Sequence, residues 1–269
     1  MQLTAPDVAL QPRSPAQTPD VEETRARSFR LGWARSPREV AEAQRLRHRV
    51  FAGEMGARLH APPGTPEGHD VDPFDPHCDH LLVRAVGTAQ HGHVIATCRV
   101  LAPEVAARAG GYYTDGEFDL SPLHALLPRA LEMGRVCVDP SWRNGMIVMA
   151  LWQELGQRMV QRGFDTLIGC FSVSLSDGGE LASRLWDELH PAYLLPREWQ
   201  VAPRRPLQFM AAADGTPARV PALIKGYLRC GGRLLGPPAH DEDFNTADFP
   251  MMLRLEDLPA RYGKRIFRE

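Results

Sequence analysis

The sequence predicts an α+β fold in which helices flank a mixed central sheet. The order of its segments carries this prediction, because the residue patterns indicate a strand, a helix, three strands, a helix, a strand and a helix. The length of the chain agrees with this fold, since 269 residues with 43% hydrophobic content can bury one substantial core. We therefore expect one folded domain over residues 27–269, with residues 200–269 as a C-terminal extension.

The chain begins with a segment that we expect to be disordered. Residues 1–26 are rich in Pro, Thr, Gln and Ala without an apolar period, so they cannot offset their own ordering entropy. A short strand is predicted at residues 29–33. Ser36, Pro37 and Glu39 then indicate a helix start, with a serine cap, a proline in the first turn and a glutamate soon after.

The middle of the chain predicts a loop followed by a hairpin. Residues 61–79 hold several prolines, glycines and aspartates, which are typical of a loop that needs bracing. Two apolar runs at residues 80–86 and 93–101 flank a glycine-rich stretch and predict antiparallel strands. The next segments are a central strand at residues 130–138, an amphipathic helix at 146–160, a buried strand at 164–173 and a helix at 178–189.

Composition excludes several classes of protein. A formal net charge of -2 argues against a nucleic-acid binder. No apolar run approaches the roughly 20 residues that cross a bilayer, and no secretory signal is recognisable, so we expect a cytoplasmic protein. The sequence His-Cys-Asp-His at residues 77–80 does not have the spacing of a zinc site, so we expect no metal.

Candidate chemistry lies in three polar clusters. The first surrounds Arg47 and Phe51 on the predicted first helix, where a solvated arginine face is the alternative. The second is a set of aspartates that also fits a solvated loop. Its members are Asp70, Asp72, Asp75 and Asp79. The third is Glu132 with Arg135 on the predicted central strand.

Glu132 is the strongest single candidate. Strand alternation places it on a buried face with Gly134 and Val136. Arg135 points to the opposite face unless a bulge intervenes. A buried carboxylate without a partner is costly. Glu132 is therefore either paired with an arginine such as Arg99, or has a raised pKa and acts as an acid or base.

Taken in order, these segments resemble the ornithine-acyl-ACP N-acyltransferases, a GNAT-like family. The matching segments are LRHRVF at residues 46–51, DPFD at 72–75, CDHLLV at 78–83, LEMGR at 131–135 and PALIKGYL at 221–228, followed by Gly231, Gly236, Pro238, Asp241, Phe244, Asp248 and Phe249. The resemblance covers residues 31–267. It implies a GNAT-like fold and the transfer of a 3-hydroxyfatty acyl group from acyl carrier protein to the α-amine of ornithine, which forms lyso-ornithine lipid.

A more distant similarity is to acyl-homoserine-lactone synthases, which also acylate an amine from acyl carrier protein. The residues that match in order are Arg47, Phe51, Asp72, Asp75, Arg99, Glu132 and Arg135. The tryptophan that those synthases place soon after the phenylalanine is missing, because Glu54, Met55 and Gly56 stand there. The two resemblances imply that Glu132 and Arg135 are catalytic, with Glu132 as the general base.

The resemblance also implies roles in acceptor binding. Ornithine carries a second ammonium group and a carboxylate, so its pocket needs fixed charges of both signs. The acidic candidates for the ammonium are Asp72, Asp75 and Asp79, and the basic candidates for the carboxylate are Arg99 and Arg135. The alternative is that the same charges brace the loop at residues 61–79 through ion pairs to Arg47.

On the donor side, GNAT enzymes hold the phosphopantetheine between two parallel strands and its phosphate at the loop before a helix. Arg143, Asn144 and Gly145 occupy that loop and would offer N–H groups to a phosphate. Backbone N–H groups near Val136 and Val138 would stabilise the oxyanion. The phosphopantetheine thioester is a co-substrate, so no separate cofactor is expected.

Acyl carrier protein is acidic, which predicts a basic docking surface. The candidates are Arg197, Arg204, Arg205, Lys225, Arg229 and Arg233. The amphiphilic product also predicts peripheral contact with the inner membrane. The alternatives are an acyltransferase for glycine or lysine, an enzyme like the homoserine-lactone synthases, and a non-catalytic module that binds acyl carrier protein or lipid.

Overall fold

The computed structural model describes residues 28–143, 145–210, 218 and 220–260, so the predicted tail at residues 1–26 lies outside the described residues. The strands of the described part are β1 (Ser28–Trp33), β2 (Asp79–Val86), β3 (Val94–Leu101), β4 (Phe118–Asp119), β5 (Ala130–Val138), β6 (Thr166–Ser174), β7 (Ala202–Pro203), β8 (Arg233–Leu234), β9 (Ala239–Asp241) and β10 (Thr246–Arg254). The α-helices are α1 (Pro37–His48), α2 (Pro103–Ala109), α3 (Gly145–Arg162), α4 (Glu180–Tyr193) and α5 (Ala222–Arg229).

One mixed sheet forms the centre of the molecule. Its strand order is β1-β2-β3-β5-β6-β10-β8, with β9 paired to β10. Neighbours are antiparallel except for β5 and β6, which are parallel. The predicted α+β fold with a mixed, helix-flanked sheet is therefore confirmed, and the C-terminal strand β10 is an integral part of the sheet beside β6.

Helices cover both faces of this sheet. Helix α1 begins as predicted, since the Ser36 hydroxyl accepts the N–H of Glu39 at 3.3 Å. Its Leu46 packs with Leu82 of β2. Helix α3 packs on the opposite face, where its Leu151 joins the neighbouring β2 residue Leu81, because successive strand side chains point to opposite faces. Among the described residues, no helix is both long and apolar enough to cross a membrane.

Strands β5 and β6 pair over only part of their length. Their register runs from Ala130 opposite Thr166 to Met133 opposite Gly169. The approach there is so close that a Cβ on Gly169 would collide with the carbonyl oxygen of Met133. Beyond this point the two strands separate, so a gap opens inside the sheet.

Strand β5 contains a β-bulge at the edge of this gap. Its pairing with β3 shifts between Cys137 opposite Thr97 and Gly134 opposite Arg99. Arg135 adopts a positive φ of 51° within the shift, which is rare for a residue other than glycine. A bulge re-aims side chains and leaves a backbone group unpaired. The alternative that a bulge interrupts the alternation around Glu132 is therefore the observed one.

Candidate active site

A large cleft occupies the gap between β5 and β6. Its volume is about 720 Å³, and we call it the strand cleft. The predicted site residues that line it are Phe51, Arg99, Glu132, Arg135, Val136, Val138, Arg143 and Gly145. Asn144 lies outside the described residues. The structure thus brings most of the candidates from distant parts of the chain to one opening.

A second, polar cleft of about 680 Å³ adjoins the first. Asp72 lines this polar cleft, together with Asp70. The residues that line both clefts are Phe74, Tyr113, Glu117, Arg135, Asp241 and Phe244. Two cavities of different character therefore meet at one wall.

A buried charge network supports that wall. Arg47 is 1% exposed and contacts Asp75 at 2.6 Å and Asp70 at 2.8 Å. Arg99 contacts Asp75 at 2.7 Å and Asp72 at 2.5 Å. Each aspartate in the network therefore has at least one arginine partner.

Arg135 completes this network, which we call the ion-pair network: Arg47, Arg99, Arg135, Asp70, Asp72 and Asp75. Its guanidinium lies 3.1 Å from Asp72 and 3.5 Å from Asp70. Burial alone would raise the pKa of Asp75, but hydrogen bonds and attraction from the arginines outweigh burial and hold that pKa well below its usual range. The ion pairs connect the predicted loop at residues 61–79 to α1, β3 and β5, so the bracing alternative describes the observed geometry.

Asp79 is separated from the other aspartates. Its carboxylate lies 2.7 Å from Arg158 and 3.3 Å from Arg162, both on α3. It does not line the strand cleft or the polar cleft. The prediction that grouped Asp79 with Asp72 at the acceptor is corrected by this position, because Asp79 begins β2 and pairs with the helix on the far face of the sheet.

Glu132 holds a turn of the backbone in place through hydrogen bonds. Its two carboxylate oxygens accept the N–H groups of Tyr113 and Thr114, at 2.8 and 2.7 Å. Burial raises its pKa, and these hydrogen bonds offset part of the effect. Among the described residues Arg99 forms its ion pairs with Asp72 and Asp75 and not with Glu132, so of the two alternatives for Glu132 the ion pair is not the one observed. The bulge brings Arg135 to the same turn, where its Nη1 donates to the Tyr113 hydroxyl at 3.4 Å.

Three further carboxylates, which we call the carboxylate triad, complete the wall. They are Glu117, Asp241 and Asp248, and one oxygen of each lies within 4.8 Å of the others. Asp248 is buried and accepts the Thr246 hydroxyl at 2.9 Å. Within the described part of the chain, no member of the triad has an ion-pair partner.

Two carboxyl groups of the triad have raised pKa values. Desolvation, together with repulsion between the carboxylates, raises the pKa of both Glu117 and Asp248. Such a group of oxygens attracts a cation, whether a metal ion or an ammonium group. Sequence reasoning gave no role to these residues. Asp241 and Asp248 stand in the C-terminal segment that carries the family resemblance, whereas no local pattern indicated Glu117.

The donor side has a helix start at its mouth. Helix α3 begins at Gly145, which lines the strand cleft. Arg143 just before it makes two contacts of 2.6 Å with Glu54. The guanidinium is thus already engaged by Glu54, and the positive end of the α3 macrodipole lies beside it at the mouth of the cleft.

The predicted basic docking residues lie in different surroundings. Arg204 and Arg205 line the polar cleft and face Asp115 and Glu242, at 3.7 Å each. Lys225 and Arg229 are exposed on α5. The exposed cations of α5 are therefore nearer to the strand cleft, which Ile224 and Tyr227 of the same helix line.

Comparisons with known proteins agree with this architecture. Residues 46–153 match a family model described as an acetyltransferase (GNAT) domain. The L-ornithine N(alpha)-acyltransferase of Rhizobium meliloti (strain 1021) is 35% identical over 242 residues, which cover 85% of this chain and 81% of that protein. The protein of the same name from Agrobacterium fabrum (strain C58) is 33% identical over 245 residues, covering 85% and 82%.

A solved structure shares the fold of this chain. FeeM, an N-acyl amino acid synthase from uncultured soil microbes, superposes with a TM-score of 0.52 at 11% identity. The match covers 86% of this chain and 92% of that one. At this identity the similarity supports the shared fold alone.

Proposed function

The chain belongs to the family of the L-ornithine N(alpha)-acyltransferases, and from this premise we propose that it transfers a fatty acyl group from acyl carrier protein to the α-amine of ornithine. The chain is an N-acyltransferase by its family and by its GNAT domain. The observation that carries the proposal is the junction of the strand cleft with the polar cleft at an unpaired carboxylate triad. The product is lyso-ornithine lipid.

The strand cleft supports a long thioester donor. It opens between two diverging parallel strands, so a pantetheine arm can replace the missing strand-to-strand contacts. The bulge at Arg135 frees backbone groups next to Val136, and one such donor to the oxyanion is worth about 3 kcal/mol in other acyl-transfer enzymes. The exposed Met55 and Leu223 at the rim of this cleft support peripheral contact with the inner membrane, where an amphiphilic product is released.

The triad supports a cationic acceptor. Carboxylates removed from water are costly unless a positive charge compensates them. Among the described residues none forms an ion pair with Glu117, Asp241 or Asp248. At Glu117 and Asp248, burial and mutual repulsion outweigh the attraction from Arg135. Ornithine brings two ammonium groups. Arg135 lines both clefts at the same wall, so its guanidinium is suited to the carboxylate of the amino acid.

The chemistry needs a proton acceptor, because the α-amine is mostly protonated at neutral pH. Glu132 is the base predicted from sequence, yet both its oxygens accept backbone N–H groups. Glu117 lines both clefts and has no ion-pair partner among the described residues. Burial and the neighbouring carboxylates raise the pKa of Glu117, and the ammonium groups of ornithine would offset that repulsion and favour its ionised form. We therefore assign the proton to Glu117, while Glu132 positions the turn that leads to it.

The bond changes then balance. The amine nitrogen attacks the thioester carbon, and its lost proton goes to the carboxylate. The tetrahedral oxyanion collapses and the carbon–sulfur bond breaks. The phosphopantetheine thiolate leaves as a thiol, with the proton that the carboxylate had taken from the amine nitrogen. An amide and holo-acyl carrier protein are the products.

Glu132→Gln tests the positioning role. An amide offers one acceptor where two N–H groups now point, so one buried donor loses its partner, at a cost of about 1–3 kcal/mol. We expect a lower melting temperature and a higher KM for ornithine, with the pH dependence of kcat retained. Thermal unfolding and pH–rate profiles measure these effects. Unchanged stability together with loss of the acidic limb of the pH–rate profile, where a general base becomes protonated, would instead make Glu132 the base.

The overall reaction is tested with purified protein. Incubation with 3-hydroxyhexadecanoyl-acyl carrier protein and a panel of ornithine, lysine, glycine and homoserine lactone is followed by mass spectrometry. We expect acylation of ornithine at its α-amine. Hexadecanoyl-CoA in place of the carrier protein serves as the donor control, and we expect it to react more slowly. Acylation of glycine in preference to ornithine, or binding of the donor without turnover, contradicts the proposal.

A further inference from the structure

The two faces of the sheet differ in chemistry where β5 and β6 separate. On one face, Sγ of Cys170 lies 3.9 Å from the Glu117 carboxylate, and the neighbouring Ser172 hydrogen-bonds Asp248. On the other face, Phe171 stacks on Phe249 with ring centroids 4.7 Å apart. A thioester held in the gap therefore has carboxylates on one side and apolar side chains on the other.

A second cavity continues the apolar side. It has a volume of about 350 Å³ and lies beneath α3, and we call it the tail cavity. Its lining includes Met149, Ala150, Gln153, Gly156, Met159 and Leu258. Within this lining the side chains are almost all apolar, so the cavity suits a hydrocarbon.

The tail cavity adjoins the strand cleft. Gly145 and Met149 line both spaces. Trp152 of the tail cavity meets Tyr227 of the strand cleft edge to face, with ring centroids 4.9 Å apart. These two rings lie between the two spaces, and Met149, which has a flexible side chain, lines both of them.

We propose that the tail cavity receives the end of the fatty acyl chain and selects its length. This inference rests on the proposed function, since it requires a fatty acyl donor in the strand cleft. The polar face cannot take the chain, because alkane packed on the triad would desolvate carboxylates without compensating them. Each methylene group buried in the tail cavity raises affinity by a factor of about 4.

The length-selecting role is tested by filling the cavity. Ala150 is half-buried on α3 and lines the tail cavity but not the strand cleft. For Ala150→Trp we expect the ratio of kcat/KM for octadecanoyl to decanoyl donor to fall roughly 60-fold, which corresponds to the exclusion of three methylene groups. Ala150→Leu should shift the ratio less and in the same direction, and it covers the case in which the tryptophan variant does not fold.

Val160→Trp is the matched control. Val160 lies on the same helix, is 42% exposed and does not line the tail cavity, so the donor ratio should not change. An equal loss with both donors in both Ala150 variants overturns the inference. Because the ratio compares two donors with one amine, it decides the inference whichever amine is accepted, whereas a wild-type enzyme that acylates glycine and not ornithine contradicts only the proposed function.

Discussion

Glu117→Gln is expected to lower kcat/KM for ornithine by about 10²–10⁴-fold, the usual contribution of a general base, and to raise thermal stability at the same time. The loss of activity follows from the position of Glu117 on the wall between the two clefts, beside Asp241 and Asp248. The amide cannot accept the proton of the incoming ammonium. It also attracts that ammonium less strongly than a carboxylate does.

The gain in stability follows from the direction of the pKa shift. Desolvation and neighbouring carboxylates raise the folded-state pKa of Glu117 above its ordinary value of 4.5. The wild-type protein therefore loses stability as the pH rises from that value toward the folded-state pKa, because the unfolded chain ionises first. The amide does not titrate, so its advantage in melting temperature should grow between pH 4.5 and neutral pH.

Steady-state kinetics and thermal unfolding over this pH range measure both effects. Glu188→Gln is the matched control, because Glu188 is exposed on α4 and lines neither cleft. It should change neither quantity. Wild-type activity in the Glu117 variant, or a parallel fall in activity and melting temperature, contradicts the assignment of Glu117 as proton acceptor.

Local sequence patterns predicted the elements that depend on local chemistry. The cap at Ser36 forms the predicted contact, and β5 covers the predicted residues, Ala130–Val138. Periodicity and capping act within a few residues, so one sequence is enough to reveal them. The resemblance added the set of charges on α1, β3 and β5, which the structure brings into one ion-pair network.

The features that escaped prediction depend on long-range register. The positive φ of Arg135 arises from pairing with β3, and nothing in the neighbouring residues demands it. Asp248 reaches the cleft because β10 pairs with β6, with Asp248 opposite Ser172. Glu117 joins it from a turn that Glu132 holds. Each contact therefore spans tens of residues, beyond the reach of a local pattern.

Arg47→Met is expected to be the most destabilising single substitution in the ion-pair network. Arg47 is almost wholly buried and contacts both Asp70 and Asp75. Removing it leaves Asp70 and Asp75 out of water with Arg135 and Arg99 as their remaining arginine contacts. Breaking a buried pair in this way costs about 3–5 kcal/mol of the free energy of unfolding. Chemical denaturation, followed by far-UV circular dichroism, measures the change.

Arg45→Met gives the matched control for this cost. Arg45 lies two residues earlier on α1, but it is exposed, and its guanidinium lies 3.2 Å from the ring of His69. The change should therefore stay within about 0.5 kcal/mol. The double variant Arg47→Met/Asp75→Asn should recover part of the loss, since the second change removes one of the two carboxylates that have lost their contact with Arg47. If Arg47→Met costs no more than Arg45→Met, the aspartates are solvated and the wall between the clefts does not depend on buried charge.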